Sequence, residues 1–266
     1  MDIGLIVIGD EILSGKRSDK HLPKVIELLA ARGLALAWAR YVGDERAHIT
    51  AVLRAACTSG DLVFSTGGIG ATPDDHTRQA AAAALGRELV LHPEAEALIV
   101  ERMREQAREQ GLAFEPERPD NLHRLNMGVF PAGAQLIPNP YNKIPGFSVD
   151  HVHFVPGFPV MAWPMIEWVL DRRYADLHGA GRSRERSVIV FGSMEATLTP
   201  LMERIEAEFP GVRVFSLPSV DHPQWGRHIE LGVKGAAGGI DPQAAFAALQ
   251  AGLERLGARL GPKMVR

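Results

Sequence analysis

Asp61-Leu62-Val63-Phe64-Ser65-Thr66-Gly67-Gly68-Ile69-Gly70-Ala71-Thr72-Pro73-Asp74-Asp75-His76-Thr77 is the stretch on which the reading of this chain turns. A short apolar run over 61–66 predicts a buried strand, the glycines predict a turn, and an Ala-rich segment ending near Gly86 predicts a helix. The same order precedes it. Ile3 to Ile8 is an unbroken apolar run ending at Gly9-Asp10, which suits a strand covered on both faces of a parallel sheet. Ser18 or Asp19 can cap a helix with Leu22, Val25, Ile26 and Leu29 on its apolar face and Gly33 at its stop. Leu34 to Val42 then reads as a strand and Ala47 to Ser59 as a helix with Ile49, Val52, Leu53 and Ala56 inward. Such alternation implies parallel strands joined by right-handed crossovers.

Beyond Gly86, Pro93 opens a charged helix, Glu94 to Gln110, whose few large apolar residues suit a surface or subunit contact. Phe114 to Asn142 is rich in Pro, Gly and Asn and predicts loops with a short strand at Gln135 to Ile137. Phe147 to Val149 and Val152 to Val155 form a tight hairpin, followed by a helix over Val160 to Leu170 kinked at Pro164. The Gly/Arg/Ser segment 177–186 reads as a linker between a first domain, 1–176, and a small α+β domain, 187–266. The latter carries strands at Ser187 to Phe191, Val212 to Leu217 and His228 to Val233, and helices at Leu198 to Phe209 and Pro242 to Leu256.

At roughly 150 residues per domain, 266 residues suit one or two domains. With 46% apolar and 23% charged residues, disorder is excluded. Lys and Arg total 29 against 32 Asp and Glu, a net charge of −3 that offers no field to hold a nucleic-acid backbone. Cys57 is the single cysteine, which excludes an intrachain disulfide and a Cys-built zinc site. No apolar run reaches the roughly 20 residues of a membrane span, and Asp2 stands where a signal peptide needs bases, so a cytoplasmic protein is expected.

In an open parallel sheet, ligands lie beyond the carboxyl ends of the strands. Three expected strands end there in polar, glycine-bearing turns: Gly9 to Gly15, Gly43 to Glu45 and Thr66 to Thr77. The third turn lets backbone approach a ligand closely and offers helix amides to a phosphate. It is neither a Walker loop nor a dinucleotide fingerprint. Asp74 and Asp75 have two readings. Thr72, Pro73 and Asp75 form a helix cap; alternatively, carboxylates beside a phosphate cradle imply a bridging divalent cation. Asp10 and Asp44 can reach the same place or merely end their strands. His76 is a proton donor or a solvated helix residue, and His151 with His153 is read as a surface or interface pair. Cys57 is packing, and Trp163 and Trp168 serve a core or dimer contact.

Ile8-Gly9-Asp10-Glu11-Ile12-Leu13-Ser14-Gly15, Val42-Gly43-Asp44 and the Thr66 to Thr77 run resemble the molybdenum-cofactor-biosynthesis (MoaB/Mog-like) domain family, most of all the version at the N-terminus of competence/damage-inducible CinA proteins. Leu136-Ile137-Pro138-Asn139-Pro140, Pro145-Gly146-Phe147 and Val155-Pro156-Gly157-Phe158-Pro159 follow in the family's order. Gly192 to Leu198 resembles a Gly-x-x-Glu-Ser-x-Leu segment of longer members. The resemblance covers about 3–172. The family's C-terminal amidohydrolase domain, and with it that activity, is not expected here.

The resemblance implies a three-layer α/β/α sandwich with a mostly parallel sheet. It implies that Asp75 and Asp44 are catalytic and that Asp75 helps to hold a divalent metal (Mg, Mn or Co); the strand-end reading adds Asp10 to the catalytic set and Asp74 to the metal ligands, and no tightly bound organic cofactor is expected. Ligand or phosphate contacts are expected at Ser14, Gly15, Thr66, Gly67, Gly68, Gly70, Thr72, Asp74 and Thr77, and at Asn139, Pro140, Lys143, Pro156 and Gly157. The first expectation of function is a metal-dependent hydrolase of a nucleotide pyrophosphate, ADP-ribose or FAD, releasing AMP. The alternatives are a molybdopterin-binding protein or adenylyltransferase, and a non-catalytic nucleotide-binding module. The partner is thus a nucleotide or molybdopterin, with no nucleic acid and no membrane, in a homodimer or other homo-oligomer. The chain departs from the family at Ala71, where Pro is usual, at Asn142-Lys143-Ile144 in place of Gly-Thr-Ala, and at Val160-Met161 in place of Ser-Glu. The hairpin between Phe147 and Pro156 is also shorter than usual.

Overall fold

A computed structural model describes residues 1–179, 184–235 and 240–265, and its contacts divide the chain into two units, Met1–His178 and Gly179–Arg266. The first unit runs β1 (Ile3–Ile8), α1 (Asp10–Leu13), α2 (His21–Ala31), β2 (Trp38–Val42), α3 (Arg46–Ser59), β3 (Leu62–Thr66) and α4 (Thr77–Leu85). It continues through β4 (Leu89–Leu91), α5 (Pro93–Glu109), α6 (Pro119–Leu125), β5 (Val129–Pro131), β6 (Gln135–Ile137), β7 (Gly146–Val149), β8 (Val152–Val155) and α7 (Pro159–Arg173).

Six strands form one sheet in the order β2-β1-β3-β8-β7-β6, parallel from β2 to β8 and antiparallel at the β8-β7-β6 edge. Every residue of β1 is buried, because alternate side chains enter different cores. Ile3, Leu5 and Val7 pack with Val25 and Leu29 of α2 and with Met165 and Val169 of α7. Ile6 and Ile8 pack on the other face with Ile49 and Leu53 of α3 and with Ala80 and Ala81 of α4. The unit is therefore a three-layer α/β/α sandwich with a mostly parallel sheet, and the crossovers bring the ends of β1, β2, β3 and β8 to one rim.

The second unit runs β9 (Glu185–Phe191), α8 (Glu195–Glu208), β10 (Val212–His222), β11 (Gly226–Gly235), α9 (Gln243–Arg255) and β12 (Arg259–Val265). Its sheet order is β10-β11-β9-β12, antiparallel throughout, which is the split βαβ arrangement of a ferredoxin-like βαββαβ unit. Leu198 and Ile205 of α8 and Phe246, Leu249 and Leu253 of α9 pack together on Val188, Val190, Leu231 and Val233, so both helices cover one face.

Several expectations need correction. In α2, Leu28 and not Ile26 faces inward, Ile26 being 48% exposed. Asp19 caps this helix from outside it, accepting the His21 and Leu22 amides at 2.8 and 3.1 Å. β2 begins only at Trp38, since the ladder with β1 starts there and, before it, the Ala37 amide bonds to Ile3 O at 2.8 Å. α6 and β5 arise inside the stretch expected to be loops; β5 finds a partner in β4, which no local signal announces. His151 and His153 are not a surface pair. His153 is fully buried, bonded to Ser148 Oγ at 2.7 Å and Tyr174 Oη at 2.9 Å, and burial pushes its imidazole down to about 3. β12 was not expected, since Gly261 and Pro262 break its pattern; the ladder accommodates them by a register shift between Leu260 and Lys263. The expected linker 177–186 includes 180–183, which lie outside the described residues, while Leu177 ends a 3₁₀ turn and β9 starts at Glu185.

Candidate functional site

Where β1, β2, β3 and β8 end, a cavity of about 460 Å³ opens. The turn after β3 forms its floor, with Gly67, Gly68, Ile69, Gly70, Ala71 and Thr72 all on the wall. Two of these glycines are obligatory for packing. A Cβ on Gly67, at φ +97°, would lie 2.3 Å from the Ile8 carbonyl oxygen, and one on Gly68, at φ +69°, would lie 2.1 Å from Thr77 Oγ1. Thr77 in turn donates Oγ1–H to Gly67 O at 2.9 Å and its amide to Gly68 O at 3.0 Å. It is fully buried, so it anchors the loop from beneath and does not face the cavity.

Asp75 does not cap α4 in the way the sequence suggested. The helix starts at Thr77, with His76 preceding it, and residues 72–75 form a separate turn closed by Asp75 N–H to Thr72 O at 3.0 Å. Thr72 donates both its amide, at 2.8 Å, and its hydroxyl, at 2.6 Å, to Asp75 Oδ2. Oδ1 stays uncommitted. Asp74, Asp75 and Asp44 all line the cavity. Asp44 Oδ2 accepts the Asp10 amide at 2.8 Å, and Asp10 Oδ1 accepts the Asp44 amide at 3.2 Å. Asp10 is absent from the wall and acts on Asp44 from behind. Burial, and then the charges of Asp10, Glu11 and Asp74, raise the Asp44 carboxyl above its ordinary value.

Of the remaining expected contacts, Asn139, Pro156 and Gly157 line this cavity. Thr66 lines an adjoining one of about 390 Å³, bordered also by Arg17, Ser18, Lys20 and His21. The two cavities share Ile8, Glu11, Arg17, Gly157 and Phe158. Ser14, Gly15 and Pro140 are exposed and line neither. Lys143 is also absent from the wall: its ammonium is held 2.5 Å from Glu101 Oε1 and 2.5 Å from Glu105 Oε1 of α5. Its neighbours Asn142 and Ile144 do line the cavity, as do Met161 and Ala71, so four of the departing residues reach this wall. Asn139 fixes that loop by donating to Asn142 Oδ1 at 2.8 Å and Ile144 O at 2.9 Å.

Sequence reasoning missed two residues that support the floor. Arg78, 4% exposed, donates to Gly70 O at 2.6 Å while its Nε has no partner; burial lowers its pKa and the Asp75 charge opposes that. A lone cation on the Ala-rich buried face of α4 was the available signal. His123 of α6 donates from Nε2 to Ala71 O at 2.5 Å, with Asn126 Nδ2 at 3.4 Å from its Nδ1; no sequence pattern announced it. Arg17 is the single cation lining the cavity among the described residues, against Glu11, Asp44, Asp74 and Asp75.

Among the described residues no group of three His, Cys, Asp or Glu side chains is gathered to hold a metal. The donor set still fits one kind of ion. Asp44 and Asp75 each keep one oxygen uncommitted, and a magnesium-like ion takes one or two carboxylates and fills its shell with waters and ligand phosphates. No helix among the described residues is long and apolar enough to cross a membrane.

Residues 4–175 match the family model described as "Probable molybdopterin binding domain". The chain is 32% identical over 231 residues to a CinA-like protein of Syntrophotalea carbinolica, covering 80% of this chain and 53% of that one. It is 32% identical over 274 residues to a CinA-like protein of Geobacter metallireducens, covering 100% of this chain and 61% of that one. This chain thus spans between half and two thirds of the length of these relatives. Among solved structures, the protein CinA of unknown function from Thermoplasma acidophilum superposes with a TM-score of 0.53 at 26% identity, over 64% of this chain and 96% of that one.

Proposed function

Because the chain belongs to the molybdopterin-binding domain family, we propose that the strand-end cavity binds a phosphorylated pterin of the molybdopterin class. The observation that carries this reading is the mixed make-up of the cavity wall. It includes the glycine turn after β3, whose backbone can approach a phosphate. It also includes Met127, Ile144, Phe158 and Met161, apolar side chains suited to a flat ring. Carboxylates fit this reading without opposing the phosphate, because a pterin ring presents N–H donors that Asp44, Asp74 and Asp75 can accept. The test is a fluorescence titration with neopterin monophosphate. Saturable binding that Gly70→Ala and Asp75→Asn each weaken at least tenfold supports the reading; binding unchanged in both variants sinks it.

A second reading has its own observation, the gathering of Asp44, Asp74, Asp75 and Glu11 on one cavity wall, where burial and then the charges of Asp10, Glu11 and Asp74 push the Asp44 carboxyl upward. A divalent cation relieves such crowding and would let a nucleotide pyrophosphate enter. Asp44 and Asp75 would hold the ion, which supplies charge neutralisation for phosphate chemistry. The chain's own residues would do the rest: the glycine floor would orient the phosphate, and Asp10 would keep Asp44 in place through the reciprocal amide bonds. AMP released from ADP-ribose or FAD with magnesium, manganese or cobalt, and absent with Asp75→Asn, supports cleavage. Pterin binding with no AMP leaves the first reading alone.

A further inference from the structure

The second unit holds a cavity of its own, about 500 Å³, within the range of about 300–1,000 Å³ usual for small-molecule sites. It opens between the Gly192–Glu195 turn leading into α8 and the facing stretches Pro218–Val220 and Arg227–Ile229 of the β10–β11 pair. This turn begins the Gly192 to Leu198 segment that stood out in the sequence and that the first unit's site does not use.

Four polar groups on this wall are uncommitted. The hydroxyls of Ser193 and Ser219, the guanidinium of Arg227 and Nε2 of His228 have no hydrogen-bond or ion-pair partner among the described residues. His228 is the decisive one, because it is only 6% exposed. Its Nδ1 lies 2.9 Å from the Gly226 carbonyl oxygen, which can only accept, so Nδ1 is the donor there and the tautomer this selects has its lone pair on Nε2. The rings of Phe191, His222 and Trp225 surround it, with centroids 6.4, 5.3 and 5.4 Å away, and hold the imidazole against rotation. His228 lines the cavity, so Nε2 is open to a donor on a ligand. Beside it, α8 starts without a side-chain cap at Met194, and with the Thr197 amide bonded to Met194 O the Glu195 and Ala196 amides and the positive dipole end are available. The acid on the wall, Glu195, is engaged by Ser216 Oγ at 2.6 Å.

We infer that this cavity binds a phosphate monoester that also carries a free hydroxyl. The phosphate lies against Arg227, Ser193, Ser219 and the α8 amides, which together supply the several donors its oxygens accept. The ligand hydroxyl donates to His228 Nε2. The inference does not rest on the proposed role of the strand-end cavity.

The test is calorimetric titration of the full chain with ribose 5-phosphate, glycerol 3-phosphate and inorganic phosphate, repeated with four variants. Arg227→Gln, an exposed position that leaves the fold intact, is expected to weaken both esters at least tenfold. His228→Phe, checked for folding by circular dichroism, is expected to reduce the esters to the affinity of inorganic phosphate. Glu195→Gln removes the opposing charge and is expected to tighten binding severalfold. Asp75→Asn, in the other unit, is expected to change nothing. No binding of any ester at millimolar concentration overturns the inference. So does loss with Asp75→Asn but not Arg227→Gln, weakening with Glu195→Gln, or inorganic phosphate bound by the wild type as tightly as the esters.

Discussion

Asp10 and Asp44 exchange hydrogen bonds across two strand ends, each carboxylate accepting the other's amide, at 2.8 Å to Asp44 Oδ2 and 3.2 Å to Asp10 Oδ1. The turn after β1 is thereby locked to the turn after β2. Gly43 is part of the fit, since a Cβ there would lie 2.4 Å from Asp10 Oδ1. The lock brings two like charges together, which is why it bears on both stability and binding.

Asp44→Asn is expected to stabilise the fold at neutral pH while weakening ligand binding. The Asp44 pKa is raised in the folded state, so its ionised form costs stability above that pKa, and the cost vanishes once the carboxyl is protonated in acid. The gain is under about 1 kcal/mol, because the group is partly solvated. Thermal melts at pH 7 and pH 3 check it: a higher Tm for the variant at pH 7 and equal Tm values at pH 3 are expected.

Gly70→Ala and Gly67→Ala are expected to fail in different ways. At Gly70 the added methyl meets Asp75 Oδ2 at 2.5 Å, a side-chain atom that can swing aside, so the fold survives and binding is lost. At Gly67 it meets the Ile8 backbone oxygen at 2.3 Å from a left-handed φ, so stability falls by about 1–3 kcal/mol or more. Urea melts and pterin titrations on both proteins separate the two; equal stability losses would argue against this account.

Arg78→Met is expected to destabilise by about 1 kcal/mol, because the half-buried Gly70 carbonyl loses its partner. Asp75 also loses the nearby positive charge. Urea denaturation gives the magnitude, and a loss below about 0.5 kcal/mol would show that water replaces the guanidinium.

Lys143 adopts φ 65°, an uncommon conformation for a side-chain-bearing residue, while its ammonium pairs with Glu101 and Glu105. Exposed pairs are worth about 0–1 kcal/mol and the left-handed backbone costs roughly 1–2. Lys143→Gly is therefore expected to be near neutral, and Lys143→Ala, which keeps the strain and loses the pairs, to be the less stable of the two by thermal melt.

His153 makes the fold acid-sensitive. Its pKa is lowered from 6.5 to about 3, so between those values the unfolded chain binds a proton that the folded chain refuses. Its contribution is complete above pH 6.5 and falls by about 1.4 kcal/mol per pH unit below it. His153→Gln, which can still bond Ser148 and Tyr174, is expected to flatten the stability profile between pH 6 and 3.5 measured by urea denaturation.

Much of this was legible in the chain. β1, β3, α3 and the β7–β8 hairpin were readable because local periodicity and burial agree there: β1 is an unbroken apolar run, and the buried Ser65, Thr66, Ser148 and His153 interrupt the apolar character of β3, β7 and β8 without hiding it. The Thr66 to Thr77 loop was readable because positive φ and close approach leave glycine as the residue that fits, and a run of glycines between a strand and a helix is visible without neighbours. Asp44, Asp74 and Asp75 were readable as candidates for the same reason, being polar residues at strand ends.

What only the tertiary structure decided is which of these residues share a surface. Asp10 braces Asp44, and Lys143 pairs with Glu101 and Glu105 of α5, contacts made with groups more than thirty residues away. β4 pairing with β5, β12 at a bulged edge, His153 in the core and Arg78 beneath the floor have the same origin. Strand pairing and the satisfaction of a buried polar group are set by long-range partners, and no local window of sequence contains them.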